Sequence, residues 1–107
     1  MIRIEQFKQL DLRVGKVIEI KDHPSADQLY ILLVNIGGKE PLSLVAGLKG
    51  HYLASDLLGK EIIVIINLEP AVIRGVESQG MLLAAEFKGK VTVLTPDQTI
   101  NVGAKIR

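Results

Sequence analysis

The chain contains no cysteine and no tryptophan, and only two Tyr and two Phe. Without Cys there is no disulfide, no thiolate metal site and no cysteine nucleophile. Long apolar runs are also missing. The longest strongly apolar stretch, Ile62 to Ile66, is far short of the roughly 20 residues that span a bilayer. Only peripheral membrane association stays open. The N-terminus, Met1-Ile2-Arg3-Ile4-Glu5, is charged where a signal peptide needs an apolar stretch. These absences point to a cytoplasmic protein. Charge of one sign is scarce too. The formal net charge is +1, with seven Lys/Arg against six Asp/Glu in residues 1–50 and six against six in residues 51–107. Neither half is a basic arm of the kind phosphate binding favours. Composition alone does not suggest nucleic acid.

What the chain has is Leu, Ile and Val in a sequence that is 48% hydrophobic over 107 residues. That is too apolar for disorder and short enough for one domain, residues 1–107. A domain of this size buries roughly two-thirds of its unfolded surface.

The chain reads as mostly strand. Ile4 to Leu10 forms a helical turn or two. Arg13 to Lys21 is a strand with Val14, Ile18 and Ile20 on one parity, and Gly15 marks a bulge or close approach. His23 to Asp27 is a turn. Leu29 to Ile36 is a second strand, and Gly37-Gly38 reverses the chain into a third, Leu42 to Val45. Ser55 caps one helical turn that Gly59 stops. Glu61 to Leu68 is the strongest strand, a long loop covers Glu69 to Gly80, and Met81 to Glu86 is the fifth strand. Lys88-Gly89-Lys90 turns into Val91 to Leu94, and Ala104 to Arg107 adds a last edge. Three strands, a short connecting helix and two strands is the order of an all-β, five-stranded Greek-key barrel, the OB-fold. An SH3-like barrel does not accommodate the helix.

The OB-fold binds through its second and third strands and the loops between strands one and two and between four and five. Those loops are His23 to Gln28 and Glu69 to Gly80. In the second, Arg74 can fork onto a phosphate. Ser78 and Gln79 can bond a base or a ribose hydroxyl, and Met81 offers an apolar contact to a base face. The bland alternative is a surface loop with a capping Arg and a core Met. His23 and Asp27 form a conceivable His–Asp pair, but no nucleophile completes it, and turn and surface histidines describe His23 and His51 better. No catalytic group, metal site or cofactor is expected. Gly47-Leu48-Lys49-Gly50 is a strand-ending turn whose Lys49 can reach phosphate. Of the aromatics, only Tyr30 lies on a barrel-face strand, where it meets either a ligand or the core. Stacking of successive bases is therefore disfavoured, and recognition of folded shape fits better.

Several segments occur in a familiar order: Asp11-Leu12-Arg13-Val14-Gly15, His23-Pro24-Ser25-Ala26-Asp27, Val45-Ala46-Gly47-Leu48, Asn67-Leu68-Glu69-Pro70 and Arg74-Gly75-Val76-Glu77-Ser78-Gln79-Gly80-Met81. From about Phe7 to the C-terminus the chain resembles the tRNA-binding domain at the C-terminus of many methionyl-tRNA synthetases. The same domain occurs free-standing, as in the beta chain of archaeal-type enzymes. The resemblance implies an OB-fold whose β extension, here about residues 88–107, commonly makes a homodimer. It implies shape-directed tRNA binding that raises a synthetase's affinity without chemistry, a catalytic methionyl-tRNA synthetase chain as partner, and no DNA. On family grounds Ser78 and Met81 contact RNA, with Arg74 and Asn67 beside them. Met1 to Phe7 and the tail after Val91 are the candidate dimer segments.

The chain departs from the family where phosphate charges usually sit. Many members carry a basic run before the Arg-Gly pair; here it is Glu69-Pro70-Ala71-Val72-Ile73. Each lost phosphate contact flattens the salt dependence by roughly 0.7–0.9 units. A chaperone-like or protein-interaction OB-fold homodimer with weak RNA binding is the alternative reading.

Overall fold

Segments rich in β-branched residues pair in antiparallel fashion and curl until the first and last strands of the sheet meet. The computed structural model describes residues 1–38 and 40–107. Its strands are β1 (Leu12–Asp22), β2 (Tyr30–Asn35), β3 (Leu42–Ala46), β4 (Glu61–Ile65), β5 (Ala71–Ile73), β6 (Val76–Ser78), β7 (Met81–Leu82), β8 (Ala84–Phe87) and β9 (Lys90–Val93). Two helical turns, α1 (Ile4–Phe7) and α2 (Ala54–Leu57), accompany them. The main sheet runs β3-β2-β1-β4-β7, and β5-β6 and β8-β9 are separate hairpins. The result is a nearly closed five-stranded barrel of OB type.

β1 is long because it serves two neighbours. Leu12 to Lys16 pair with Ile65 to Glu61 of β4, and Lys16 to Asp22 pair with Asn35 to Tyr30 of β2. Between Val17 and Glu19 the register slips by one residue. Ile18 is the surplus residue, and such a bulge bends and twists its strand. The expected shared parity of Val14, Ile18 and Ile20 therefore breaks. Val17 enters the barrel core and Val14 is buried outside that cluster, while Ile18 is 45% exposed. Gly15 supplies the close approach expected of it, since a Cβ there would lie 2.6 Å from Val34 Cγ1.

The core joins Val17, Leu32, Val34, Leu44, Ile62 and Val64, with Tyr30 among them. Tyr30 thus faces inward, and its hydroxyl donates to the Tyr52 carbonyl at 2.8 Å. The near-continuous apolar character of β2 has a cause in this geometry. Leu32 and Val34 fill the barrel, while Ile31 and Leu33, of opposite parity, line a concavity outside it together with Pro24 and Val76. Leu57 of α2 is fully buried and plugs the barrel. Ser55 is not the cap of that turn. The helix begins one residue earlier, and the Asp56 carboxylate accepts from the Leu53 N–H at 3.3 Å. Gly59, at φ +83°, ends it as expected.

Three more expectations change. β4 stops at Ile65: the Ile66 N–H still reaches the in-register Asp11 carbonyl, 2.9 Å away, but the Asp11 N–H donates to the Asn67 side chain instead of returning to the strand. The long loop is the β5–β6 hairpin. The fifth strand splits: Met81–Leu82 close the sheet against β4, and Ala84 onward pairs with β9 instead.

The C-terminal tail lies along the start of β1, with Gly103, Ala104 and Ile106 bonded to the backbone of Leu12 and Val14. Arg13 ties this region down. Its guanidinium grips the Asp11 carboxylate, Nε to Oδ1 at 2.6 Å, and donates to the Gly103 carbonyl at 3.2 Å. The hydrogen bond from Arg13 holds the Asp11 carboxyl below its ordinary range. A carboxylate depressed in the folded state contributes stability above its unfolded pKa and loses it as pH falls through the folded value. Asp11→Asn should therefore lower the melting temperature at about pH 7, and the gap to wild type should narrow as pH falls below about 4, the ordinary carboxylate value. A melting series across that range checks it; a gap that persists in acid removes the ion pair as the cause. Among the described residues no helix is long and apolar enough to cross a membrane.

Candidate nucleic-acid interface

The β5–β6 hairpin is bound to the β1–β2 loop by side chains from both. Its turn is Arg74-Gly75, at φ +51° and +87°. Two consecutive left-handed residues are the two-residue hairpin pattern that matches strand twist, and a non-glycine at the first needs support. Ser25 gives that support. Its hydroxyl donates to the Arg74 carbonyl, and its own carbonyl accepts from Arg74 Nη2, both at 3.2 Å. His23, expected at the surface, is buried. Its Nδ1 accepts from the Ser25 N–H and its Nε2 faces the Ile73 carbonyl, each at 3.0 Å. A backbone donor on one nitrogen and a carbonyl on the other fix the neutral ring with hydrogen on Nε2. Asp27 takes no part, so the His–Asp pair does not form.

The segment Ser78-Gln79-Gly80 forms the seam of the barrel. β3 and β7 share no ladder. Instead the buried Ser78 hydroxyl accepts from the Val45 N–H and donates to the Gly80 carbonyl, both at 3.0 Å. The Gln79 side-chain oxygen accepts from the Ser43 N–H, and the Gln79 N–H returns a bond to the Ser43 carbonyl, both at 2.8 Å. Gly80 lies so close to β4 that a Cβ would stand 2.7 Å from the Ile65 carbonyl oxygen. Asn67 is likewise engaged. Its amide oxygen accepts from the Asp11 N–H and its amide nitrogen donates to the Gln9 carbonyl, both at 2.7 Å. It clamps the link between α1 and β1 at the Leu12 end.

The remaining candidates lie around the Lys49 turn, the β1–β2 loop and β7. Lys49 pairs with Asp22, the last residue of β1, at 3.2 Å, and its N–H donates to the Gln28 carbonyl. Arg74 and residues 25–29 line a surface cleft of about 380 Å³. Met81 is 49% exposed and lines a shallow groove with Gly47 and Leu48, next to the Lys49 turn. Thus Lys49, Arg74 and Met81 present groups outward from one region, while Ser78 and Gln79 hold that region closed and Asn67 lies apart. Sequence reasoning missed His23 and Ser25 as the clip of the hairpin. The visible signal was the pairing of a turn rich in polar groups with a loop long enough to fold on itself.

A small barrel closed in this way, with loops gathered beside its concave face, is of OB type, a class that binds oligonucleotides and oligosaccharides through that face. A family model described as a putative tRNA binding domain matches residues 12–105, and the chain belongs to that family. It is 56% identical over 106 residues to a methionine–tRNA ligase of Pyrococcus horikoshii, and 48% identical over 101 residues to that of Nanoarchaeum equitans. It covers 99% and 94% of its own length in these matches, but only 14% and 13% of theirs. Among solved structures it is similar to a MetRS-related protein from Pyrococcus horikoshii, at TM-score 0.92 and 31% identity, covering 100% of this chain and 98% of the other. It is equally similar in shape to the CsaA chaperone protein of Picrophilus torridus, at TM-score 0.92, 30% identity and full coverage of both chains.

Proposed function

We propose that this chain is a non-catalytic, cytoplasmic module that binds tRNA by its folded shape and raises the affinity of a catalytic methionyl-tRNA synthetase for it. The observation that carries the reading is that Arg74, on the hairpin held by the His23–Ser25 clip, Lys49, bonded to Asp22 and Gln28 beside the same β1–β2 loop, and Met81, in the groove next to the Lys49 turn, lie around one surface. Family membership supplies the ligand class. With Tyr30 inside the core, the barrel face offers no aromatic platform, which favours shape over base-by-base reading. In this proposal Arg74 and Lys49 meet phosphates, Met81 meets a base or sugar, and Ser78, Gln79 and Asn67 act by holding the backbone. Homodimerisation fits the exposed Met1, Ile2 and Ile4 beside a cleft shared by α1 and the tail.

The double variant Arg74→Ala, Lys49→Ala should bind bulk tRNA about tenfold more weakly at low salt. Its log–log salt slope should fall by roughly 1.5. Filter binding across a salt series measures both. An unchanged slope removes these two residues from the interface. The likeness to a chaperone gives the protein-binding alternative its support. Capture of a protein partner that survives nuclease treatment, without tRNA binding by the pure chain, would favour it.

A further inference from the structure

The β8–β9 hairpin adjoins the Met81 groove through Ala84 and Val91, and the opposite face of its ribbon has a separate chemistry. Its turn is Lys88-Gly89, at φ +49° and +81°. Cross-strand partners share a face of the ribbon. Phe87 pairs with Lys90 and Ala85 with Thr92, so these four share one face, while Glu86, Val91 and the buried Val93 share the other. All four residues of the first face are exposed, and Phe87 is 73% exposed. The Lys88 ammonium lies 5.4 Å from the centre of the Phe87 ring. At the inner end of this face the Tyr52 hydroxyl bonds Thr92 Oγ1 at 3.4 Å and accepts from the Val93 N–H at 3.1 Å. The Tyr52 pKa is lowered, by the hydrogen bond with Thr92 first, then that of Val93, and further by the positive charges of Lys60 and Lys90. The one carboxylate of the hairpin, Glu86, points from the opposite side.

A flat exposed face with a solvent-facing ring, Lys88 at that ring and Lys90 beside it suits a nucleobase and its phosphates. An apolar protein partner would need no lysines there. We propose that this face is a second RNA contact, in which an unpaired nucleobase stacks on Phe87 while Lys88 and Lys90 meet the flanking phosphates. The inference rests on the tRNA reading above and deepens it. It also relocates charge: the basic run absent before Arg74 has a counterpart in Lys88 and Lys90 of this hairpin. Aromatic–base stacking is tolerant of sequence, so the contact adds affinity to a shape reader without making it base-specific.

The chain has no Trp, so Phe87→Trp places a lone fluorophore at the contact. Bulk tRNA and a short oligo(U) should both quench it. Phe87→Ala should weaken tRNA binding about tenfold with the salt slope retained, and Phe87→Tyr should restore affinity. Lys88→Gln with Lys90→Gln should instead reduce the slope by roughly 1.5. Binding of tRNA without quenching, with Phe87→Ala at wild-type affinity, overturns this contact and leaves the tRNA reading standing. No tRNA binding by the wild-type chain overturns both. A sedimentation coefficient that drops in Phe87→Ala at unchanged tRNA affinity identifies the face as a protein interface and also overturns the contact.

Discussion

Gly80→Ala should lower the unfolding free energy by about 3 kcal/mol, a large share of what a domain this size has. The added Cβ would stand 2.7 Å from the Ile65 carbonyl oxygen and 3.1 Å from Leu44 Cδ2. The first of these is backbone and cannot rotate away. Relief requires β7 to move off β4, which drags Ser78 and Gln79 from their partners on β3. The Val45 N–H then loses its acceptor in a region with little water, a further cost of the desolvation kind. Gly38→Ala is the control, since nothing lies within 4 Å of a Cβ there. It should stay within about 0.5 kcal/mol of wild type. Urea titration of the three proteins decides the matter. Equal midpoints for Gly80→Ala and Gly38→Ala would show that the seam yields without cost.

Leu57→Ala should cost about 3 kcal/mol as well, roughly 15 °C in melting temperature. Leu57 is fully buried, and it is the only buried residue of a helix four residues long. So short a helix has almost no stability of its own; it is held because this side chain fills the barrel. Truncation leaves a cavity and removes the reason for α2 to dock. Leu53 and Leu58 flank it in sequence but are 69% and 57% exposed. Alanine at either should change little. If all three substitutions lower the melting temperature alike, the helix is held by its surface and the plug is not the cause.

The order of strands was legible because the barrel strands are apolar and β-branched, and because Gly and Pro mark their ends. Glu61 to Ile65 and Tyr30 to Asn35 needed no more than that. The extent of Leu12 to Asp22 was legible, but not its phase: a bulge adds one residue without any local signature in Val17-Ile18-Glu19. The loop before Gly80 hid a hairpin because Arg74 occupies a left-handed position usually given to Asn, Asp or Gly. Its stability there comes from Ser25, nearly fifty positions away in sequence. The same distance effect governs the candidate site. Ser78 and Gln79 carry donors and acceptors suited to RNA, and only their neighbours on β3 reveal where those groups point. Arg74 and Lys49 gave the same polar signal in sequence but end in solvent-facing loops. Phe87 was uninformative until the register of β8 with β9 placed Lys90 beside it.

The bulge at Ile18 makes β1 tolerant of loss at one point. Val17 opposes Val34 and Glu19 opposes Leu33, consecutive residues of β2. Excision of Ile18 would leave both pairings as they are and straighten the strand between them. Excision elsewhere in β1 would turn every following side chain to the wrong face. The strand thus holds a single spare position, and insertions or deletions that reach related chains without disrupting the barrel are expected to gather there.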